Sequence, residues 1–292
     1  PVIAWWISLS LARRKATLTA EQTLFLRGLS RRTWAFFENL VGQEDHWLPP
    51  DNYQKYRVTA VAHRTSPTNV GMALLANLSA YDFGYLPVGP LVERTANTLR
   101  TLNGLEQHRG HFYNWYDTQT LQPLSPRYIS TVDSGNLAGH LLTLRAGLLA
   151  IGDDQLLGAR LFDGLSDTYR ILIHEAGQAA VVDGVAARTL AAFGKELEAV
   201  AASPPETLAA LQSCLERLAS SAVELAGEFV PGLDGVGDNS PESEEAKLPA
   251  EWAEALARQC RTALDELALL TPWVWLPEPP SELAVASLAG IA

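Results

Sequence analysis

Apolar side chains recur at helical spacing along most of the chain, and the width of the apolar face alternates from one segment to the next. Thr19 is suited to cap a helix, with Glu21 and Gln22 in its first turn. Leu24, Phe25, Leu29, Trp34, Phe37 and Val41 then make one face up to Gly42, a stop signal. Residues 43–66 read as a long ordered loop, because Pro49-Pro50 and Ser66-Pro67 exclude a helix there. Residues 68–83 are apolar almost all round (Val70, Met72, Ala73, Leu74, Leu75, Ala76, Leu78, Ala80), which predicts a helix buried on most sides and closed by Gly84. Residues 88–107 are amphipathic instead, with Leu91, Val92, Ala96, Leu99, Leu102 and Leu105 inward and Glu93, Arg94, Arg100 and Glu106 outward. Residues 108–133 form a second long loop or short hairpin. Residues 134–151 are again apolar on most faces, and 155–180 return to the amphipathic type.

The order is outer helix, loop, inner helix, outer helix, loop, inner helix, outer helix, with a long polar loop before each apolar helix. It predicts an all-α chain: a partial α/α toroid of helical hairpins, with covered inner helices, half-exposed outer ones and ligand loops on one rim. A complete toroid of the (α/α)6 type has six hairpins, and the regular part supplies about half of them. An open stack leaves apolar flanks to be covered by further helices of a longer polypeptide. Beyond residue 180 the texture changes. Residues 188–201, 205–229 and 249–270 are Ala/Leu/Glu-rich helices, broken by Ser203-Pro204-Pro205 and by an acidic, Gly-rich stretch at 231–248 with the composition of a mobile linker. The stretch from Thr271 to Pro280 is not helical. The expected organisation is a strap at 1–18, the first half of a toroid at 19–180, and a helical insertion or packing subdomain at 181–292.

Composition narrows the possibilities. With 292 residues, 47% of them apolar, the chain has enough surface to bury a core. A formal net charge of −11 without a basic run excludes the electrostatic footprint of a nucleic-acid binder. Cys214 and Cys260 lie inside helical patterns and no Cys/His cluster occurs, so neither a metal site nor a disulfide framework is expected. The chain begins at Pro1, and its only methionine is Met72, as in a segment of a longer polypeptide. Residues 1–12, with Trp5-Trp6, are apolar and precede Arg13-Arg14-Lys15. They admit two readings: the exit of a membrane-spanning helix, or a strap packed on the domain.

Chemistry concentrates in two polar stretches that lead into the apolar helices. One holds Glu44, Asp45, His46 and Trp47 and continues to His63 and Arg64; the other holds Asn114, Trp115, Tyr116 and Asp117 and continues to Asp133 and Asn136. Aromatic rings cover the C–H faces of pyranose rings, while carboxylates or amides take the hydroxyls in bidentate pairs. Each residue also has a plainer reading. Asp133 either caps a helix, a task Ser130, Thr131 and Ser134 do equally well, or faces a sugar. Asp117 either holds its own turn or binds substrate. His46 is either a packed histidine or part of the cleft. Glu44 and Asp45 follow a helix end, where the dipole disfavours acids. Arg64 either pairs with a loop carboxylate or clamps a ligand.

At these segments the sequence resembles the cyclic β-1,2-glucan synthases, large bacterial inner-membrane enzymes. The matching runs are Trp5-Trp6-Ile7-Ser8, Glu44 to Gln54, Ala62 to Gly71, Tyr81-Asp82-Phe83-Gly84-Tyr85, His108 to Asp117, Ser130 to His140, and Gly164-Leu165-Ser166-Asp167-Thr168. The resemblance is close over residues 1–180 and loose beyond. It implies a parent protein with a transferase that elongates linear β-1,2-glucan from UDP-glucose, a glucoamylase-like toroid that cyclises it by transglycosylation, and a phosphorylase-like region. This chain resembles the first half of the middle, cyclising domain. It implies no cofactor for this segment, since UDP-glucose would serve a different domain. The implied partners are β-1,2-glucan, the remaining toroid helices, the transferase and the cytoplasmic face of the inner membrane. The glutamate pair that such transglycosylation needs is associated in the family with Ser-Gly-Ser-Met-Phe-Glu-Tyr-like and Gly-Ile-Ser-Glu-Ser-Ala-like runs, and neither run occurs here. No catalytic pair is therefore assigned; Asp133 and Asp117 are the only carboxylate candidates. Glu44, Asp45, His46, Arg64, Asn114, Trp115, Tyr116, Asp117, Asp133 and Asn136 are the expected cleft residues. Two rival expectations are a stand-alone β-1,2-glucan hydrolase of the toroid type and a non-catalytic helical scaffold.

Overall fold

A computed structural model describes residues 17–54, 61–154, 157–178, 184–229 and 241–276. The apolar Trp-rich segment at 1–16, residues 230–240 of the acidic stretch and the Pro-rich tail from 277 lie outside the described residues. The fold is all-α. Helices α1 (Ala20–Leu40), α2 (Pro67–Asp82), α3 (Val88–Gly104), α4 (Thr131–Ala150), α5 (Ala159–Gln178), α6 (Gly184–Ala202), α7 (Leu208–Glu228) and α8 (Pro241–Leu270) follow one another as hairpins. The short strands β1 (Arg64–Thr65), β2 (Gln107–His108), β3 (His111–Phe112) and β4 (Tyr116–Asp117) lie in the two long polar loops.

The local signals act as the residue types dictate. Thr19 caps α1 in a reciprocal box with Gln22, each side chain accepting the other's backbone N–H. Ser66 accepts the Asn69 N–H and Pro67 occupies the first turn of α2, where its missing N–H costs nothing. Gly84 stops the chain after α2 at φ 78°, with the Arg160 carbonyl where a Cβ would be. The β2–β3 hairpin opens at Gln107, because the helix expected over 88–107 ends at Gly104, and it runs into the 108–133 stretch expected as a loop or hairpin. Helix α8 starts at Pro241, inside the stretch read as a mobile linker. The sequence Pro-Glu-Ser-Glu-Glu suits a helix start, with proline in the first turn and acids near the positive end of the dipole.

Among the described residues two large apolar clusters form, with a small third one of Trp34, Ala80 and Tyr85. Leu48, Val70, Leu74, Leu78, Tyr81, Leu91, Tyr116 and Leu144 fill the space among α2, α3, α4 and the second polar loop. A larger cluster, including Phe162, Leu172, Phe193, Leu211, Leu215, Trp252 and Leu256, unites α5 to α8. Polar bolts join the two. Glu266 of α8 accepts the Gly89 N–H at 2.8 Å, capping α3, whose own N-cap Pro87 has no side chain to do so. Gln259 donates to the Gly84 carbonyl at 2.9 Å. Asp167 on α5 accepts from Arg27 of α1, from the Tyr85 hydroxyl and from Arg170.

Helix α4 differs from its expected burial on most faces. It presses Leu137 and Leu144 against the core, while Val132, Leu142 and Leu149 remain 70%, 71% and 66% exposed. Helical spacing sets Leu142 and Leu149 on the flank opposite Leu137 and Leu144, and no described element packs there. Apolar composition identifies a buriable helix; it does not say which neighbour does the burying. Among the described residues no helix is long and apolar enough to cross a membrane.

Candidate functional site

Helices α2 and α4 pack side by side with their N-termini at the same end. Ser130 caps α4 by accepting the Asp133 N–H at 3.1 Å, so Asp133 stands within the first turn and its carboxylate is not the cap. It accepts instead from the Thr68 hydroxyl of α2 at 2.5 Å, and Asn136 donates to the same hydroxyl oxygen at 3.1 Å. The hydroxyl hydrogen goes to the carboxylate and its oxygen lone pair to the amide. This three-residue chain ties the two helix starts together. Both helix N-termini, the positive dipole ends, face the same mouth.

The approach of the two helices depends on small residues. A Cβ at Gly71 of α2 would lie 3.0 Å from both Cβ and Cγ of His140 on α4, and closer still to its Nδ1. One end further along, Gly147 of α4 accommodates Leu78 of α2 in the same manner.

Beside this mouth the two polar loops meet. β1 pairs with β4 antiparallel, Arg64 opposite Asp117 and Thr65 opposite Tyr116. The guanidinium of Arg64 donates through Nε and Nη2 to Asp51 Oδ2, at 3.1 and 2.9 Å, and lies 5.3 Å from the centre of the Trp115 ring. Asn69, in the first turn of α2, reaches Asp51 Oδ1 at 3.5 Å. Arg64, Trp115, Asp133 and Asn136 thus border one region, joined by Asp51, Thr68 and Asn69, three residues outside the set expected from sequence. A signal for one of them was present: Asp51 and Arg64 are opposite charges at the two ends of a proline-bounded polar loop.

Other expected residues have structural engagements. Asp45 is buried, its Oδ1 shared by His63 Nδ1 at 2.8 Å and the Thr118 hydroxyl. His46 adopts a left-handed backbone at φ 53° and its Nδ1 meets the Thr118 carbonyl at 2.9 Å. Its own carbonyl accepts from Thr101, and that of Trp47 accepts from Thr98, which fastens this turn to α3. Tyr116 is buried in the core; its hydroxyl donates to the Glu106 carbonyl at 2.7 Å and accepts the Tyr113 N–H. Burial pushes the Tyr116 hydroxyl pKa up to about 12, so it stays neutral. Asp117 Oδ1 accepts from the backbone of Gln119 and from both the backbone and hydroxyl of Thr120. Burial opposes its charge, but these donors and nearby His63 outweigh it and hold the carboxyl below its usual range. Asp117 therefore holds its own turn. Asn114 is buried, donates its backbone N–H to the Tyr128 carbonyl, and leaves Oδ1 without a partner among the described residues. Glu44 is exposed on a short 3-10 turn.

Chemically, the mouth offers a carboxylate, an amide, a hydroxyl and a guanidinium beside an indole, the set that handles a polyol. Among the described residues no group of three or more His, Cys, Asp or Glu side chains is arranged to hold a metal ion.

No known protein-family profile matches the chain. Over 145 residues, 49% of its length, the chain is 42% identical to the protein named cyclic beta-(1,2)-glucan synthase NdvB of Rhizobium meliloti (strain 1021). The chain covers 5% of that protein.

Proposed function

We propose that this chain contributes the glucan-binding cleft of a domain that cyclises linear β-1,2-glucan by transglycosylation, as part of a cyclic β-1,2-glucan synthase. One observation carries the reading: the starts of α2 and α4 share a mouth, bonded through Thr68, Asp133 and Asn136, with Arg64 and Trp115 alongside. In this reading Trp115 covers a pyranose face, while Arg64, Asp133 and Asn136 take hydroxyls. Glu44 and Asn114 stand at the margin. Asp45, His46, Tyr116 and Asp117 shape the walls through the bonds described above. The similarity to the rhizobial synthase over about half the chain supports the substrate class.

The chain's own groups bind and orient; they do not form the acid and nucleophile pair of a retaining mechanism. Asp117 is held by its turn donors, and Asp133 is bonded to a hydroxyl within the fold. The pair would come from further helices of the same polypeptide, which would complete the toroid against the open flank of α4. Residues 19–180 would carry the glucan, with 181–292 as a packing region. The membrane association is part of the same proposal, on the cytoplasmic face, through the segment that precedes α1.

The test is calorimetric titration of the chain with linear β-1,2-glucan. Trp115→Ala should weaken binding about tenfold, a loss of about 1.4 kcal/mol, comparable to one good aromatic contact. Unchanged affinity in Trp115→Ala and Asp133→Asn together would remove the mouth from glucan binding.

A further inference from the structure

A groove of about 590 Å³ runs between α1 and α8, away from the α2–α4 mouth. That volume is within the range of about 300–1,000 Å³ typical of small-molecule sites. We infer that it is a second saccharide-binding subsite, holding a short stretch of the same glucan at a distance from the mouth. The inference rests on the mouth being a glucan site.

The lining has the chemistry. Trp252 forms a buried floor whose ring is already covered by the guanidinium groups of Arg31 and Arg32, 5.0 and 5.9 Å from its centre, and the rings of Phe36 and Tyr53 stand along the walls as the aromatic faces left for a ligand. Tyr53 is 45% exposed, an uncovered aromatic face in a groove rather than on open surface. Phe36 is fixed edge-on against Phe37, 5.2 Å between ring centres, so its orientation is set before any ligand arrives. Hydroxyl partners stand beside these rings. Asn39 is exposed and its amide is not engaged within the described fold. Glu254 and Arg258 pair loosely, with 3.8 Å between charged atoms, a separation a bridging hydroxyl closes. The other charged groups lining it are already committed: Glu38 to Arg31 at 3.0 Å, Arg32 to Glu175 at 2.6 Å, and Glu251, which is also engaged. The groove therefore presents apolar rings with a few directional polar groups, which suits a neutral polyol better than an ion.

Its position ties it to the mouth. Asp51 and Tyr53 lie on one extended arm, which returns through the Tyr53–Val61 bridge and the Asp51–Ala62 and Ala62–Asn52 backbone bonds. At one end of this arm Asp51 holds Arg64; two residues further, Tyr53 enters the groove. One short extended stretch, Asp51 to Tyr53, thus borders both places. A polymer held at two subsites gains affinity through effective concentration without any new contact at the first.

The experiment is calorimetric titration of the full chain with linear β-1,2-linked glucotriose and with long linear β-1,2-glucan. Wild type should bind two trisaccharides per chain. Asn39→Ala with Tyr53→Ala should leave one, held at the mouth, and lower affinity for the long polymer at least tenfold; Trp115→Ala should leave the other. Asn39 and Tyr53 are exposed, and an unchanged melting temperature verifies folding. If the double variant keeps wild-type stoichiometry and affinity, the groove is not a subsite, whatever Trp115→Ala does. If Trp115→Ala changes nothing while the double variant abolishes all binding, the mouth reading fails, and the groove is overturned as a second subsite and stands as the glucan site itself. No binding to wild type overturns both.

Discussion

Replacing Gly71 by Ala tests the seam that sets the two helix starts at one mouth. Two terms compete. Glycine inside a helix costs about 1 kcal/mol relative to alanine, so on propensity alone the change stabilises. Against this, the new Cβ would sit 3.0 Å from His140 Cβ and Cγ, near the root of that side chain and not only at its tip. His140 cannot clear it by rotating its ring alone, so α2 and α4 must separate or His140 must leave its packed position. Overpacking of this kind costs about 1–3 kcal/mol. Gly139 on α4 supplies the control, because nothing lies within 4 Å of a Cβ built there. Gly139→Ala should gain most of the propensity term, and the difference between the two variants, about 1–3 kcal/mol, isolates the overpacking. Urea denaturation reads this as a raised midpoint for Gly139→Ala and an unchanged or lowered one for Gly71→Ala, with an unchanged slope in both. Glucan affinity should fall in Gly71→Ala and not in Gly139→Ala, since only the former spreads Thr68 from Asp133. If Gly71→Ala is stabilised as much as Gly139→Ala, the close approach of α2 and α4 is not what holds the mouth together.

Two further outcomes follow from buried and turn carboxylates. Glu266→Ala should cost about 1–3 kcal/mol by leaving the Gly89 N–H without its acceptor, whereas Glu266→Gln keeps an acceptor. Burial raises the Glu266 pKa, with the Gly89 N–H opposing it. Its stabilising contribution is then complete below the unfolded pKa and is lost as pH rises through the folded one; Glu266→Gln should flatten that slope in pH-dependent denaturation. Asp117 has the opposite sign: its depressed pKa gives stability present above the unfolded value and lost as pH falls through the folded one. Asp117→Asn should remove this acid-side loss while keeping the turn, seen as a shallower decline of melting temperature below the usual carboxylate range.

Much of the helical plan was readable from residue types, for identifiable reasons. Thr19, Gly84 and the Ser66-Pro67 pair act within one turn of their own position, so their effects are local and carry over to the structure. Hydropathy identified α2 and α4 as apolar but not the sidedness of α4, since that depends on a neighbour elsewhere in the chain. The Arg64–Asp117 register, the Asp51–Arg64 pair and the Thr68–Asp133 bond are also non-local. Tyr116 shows the limit most clearly. Its position in a loop rich in polar and aromatic residues gave it the look of a ligand contact, while its ring fills the core and only its hydroxyl needs a partner. Serine at position 130 made the opposite point: with that cap present, the carboxylate of Asp133 was free for the contact with α2.

The Glu266–Gly89 bond spans 177 positions in the chain, and the Gln259–Gly84 bond spans 175. Both run from the last long helix to the short return that launches α3. A cut near residue 180 would strip that return of its donor and acceptor and uncover the large cluster side of α5. The proposed division into a glucan-holding part and a packing part is thus one of labour and not of independent folding. Melting should proceed as a single cooperative event, and a shortened version holding only the mouth would inherit its geometry without the brace that keeps it.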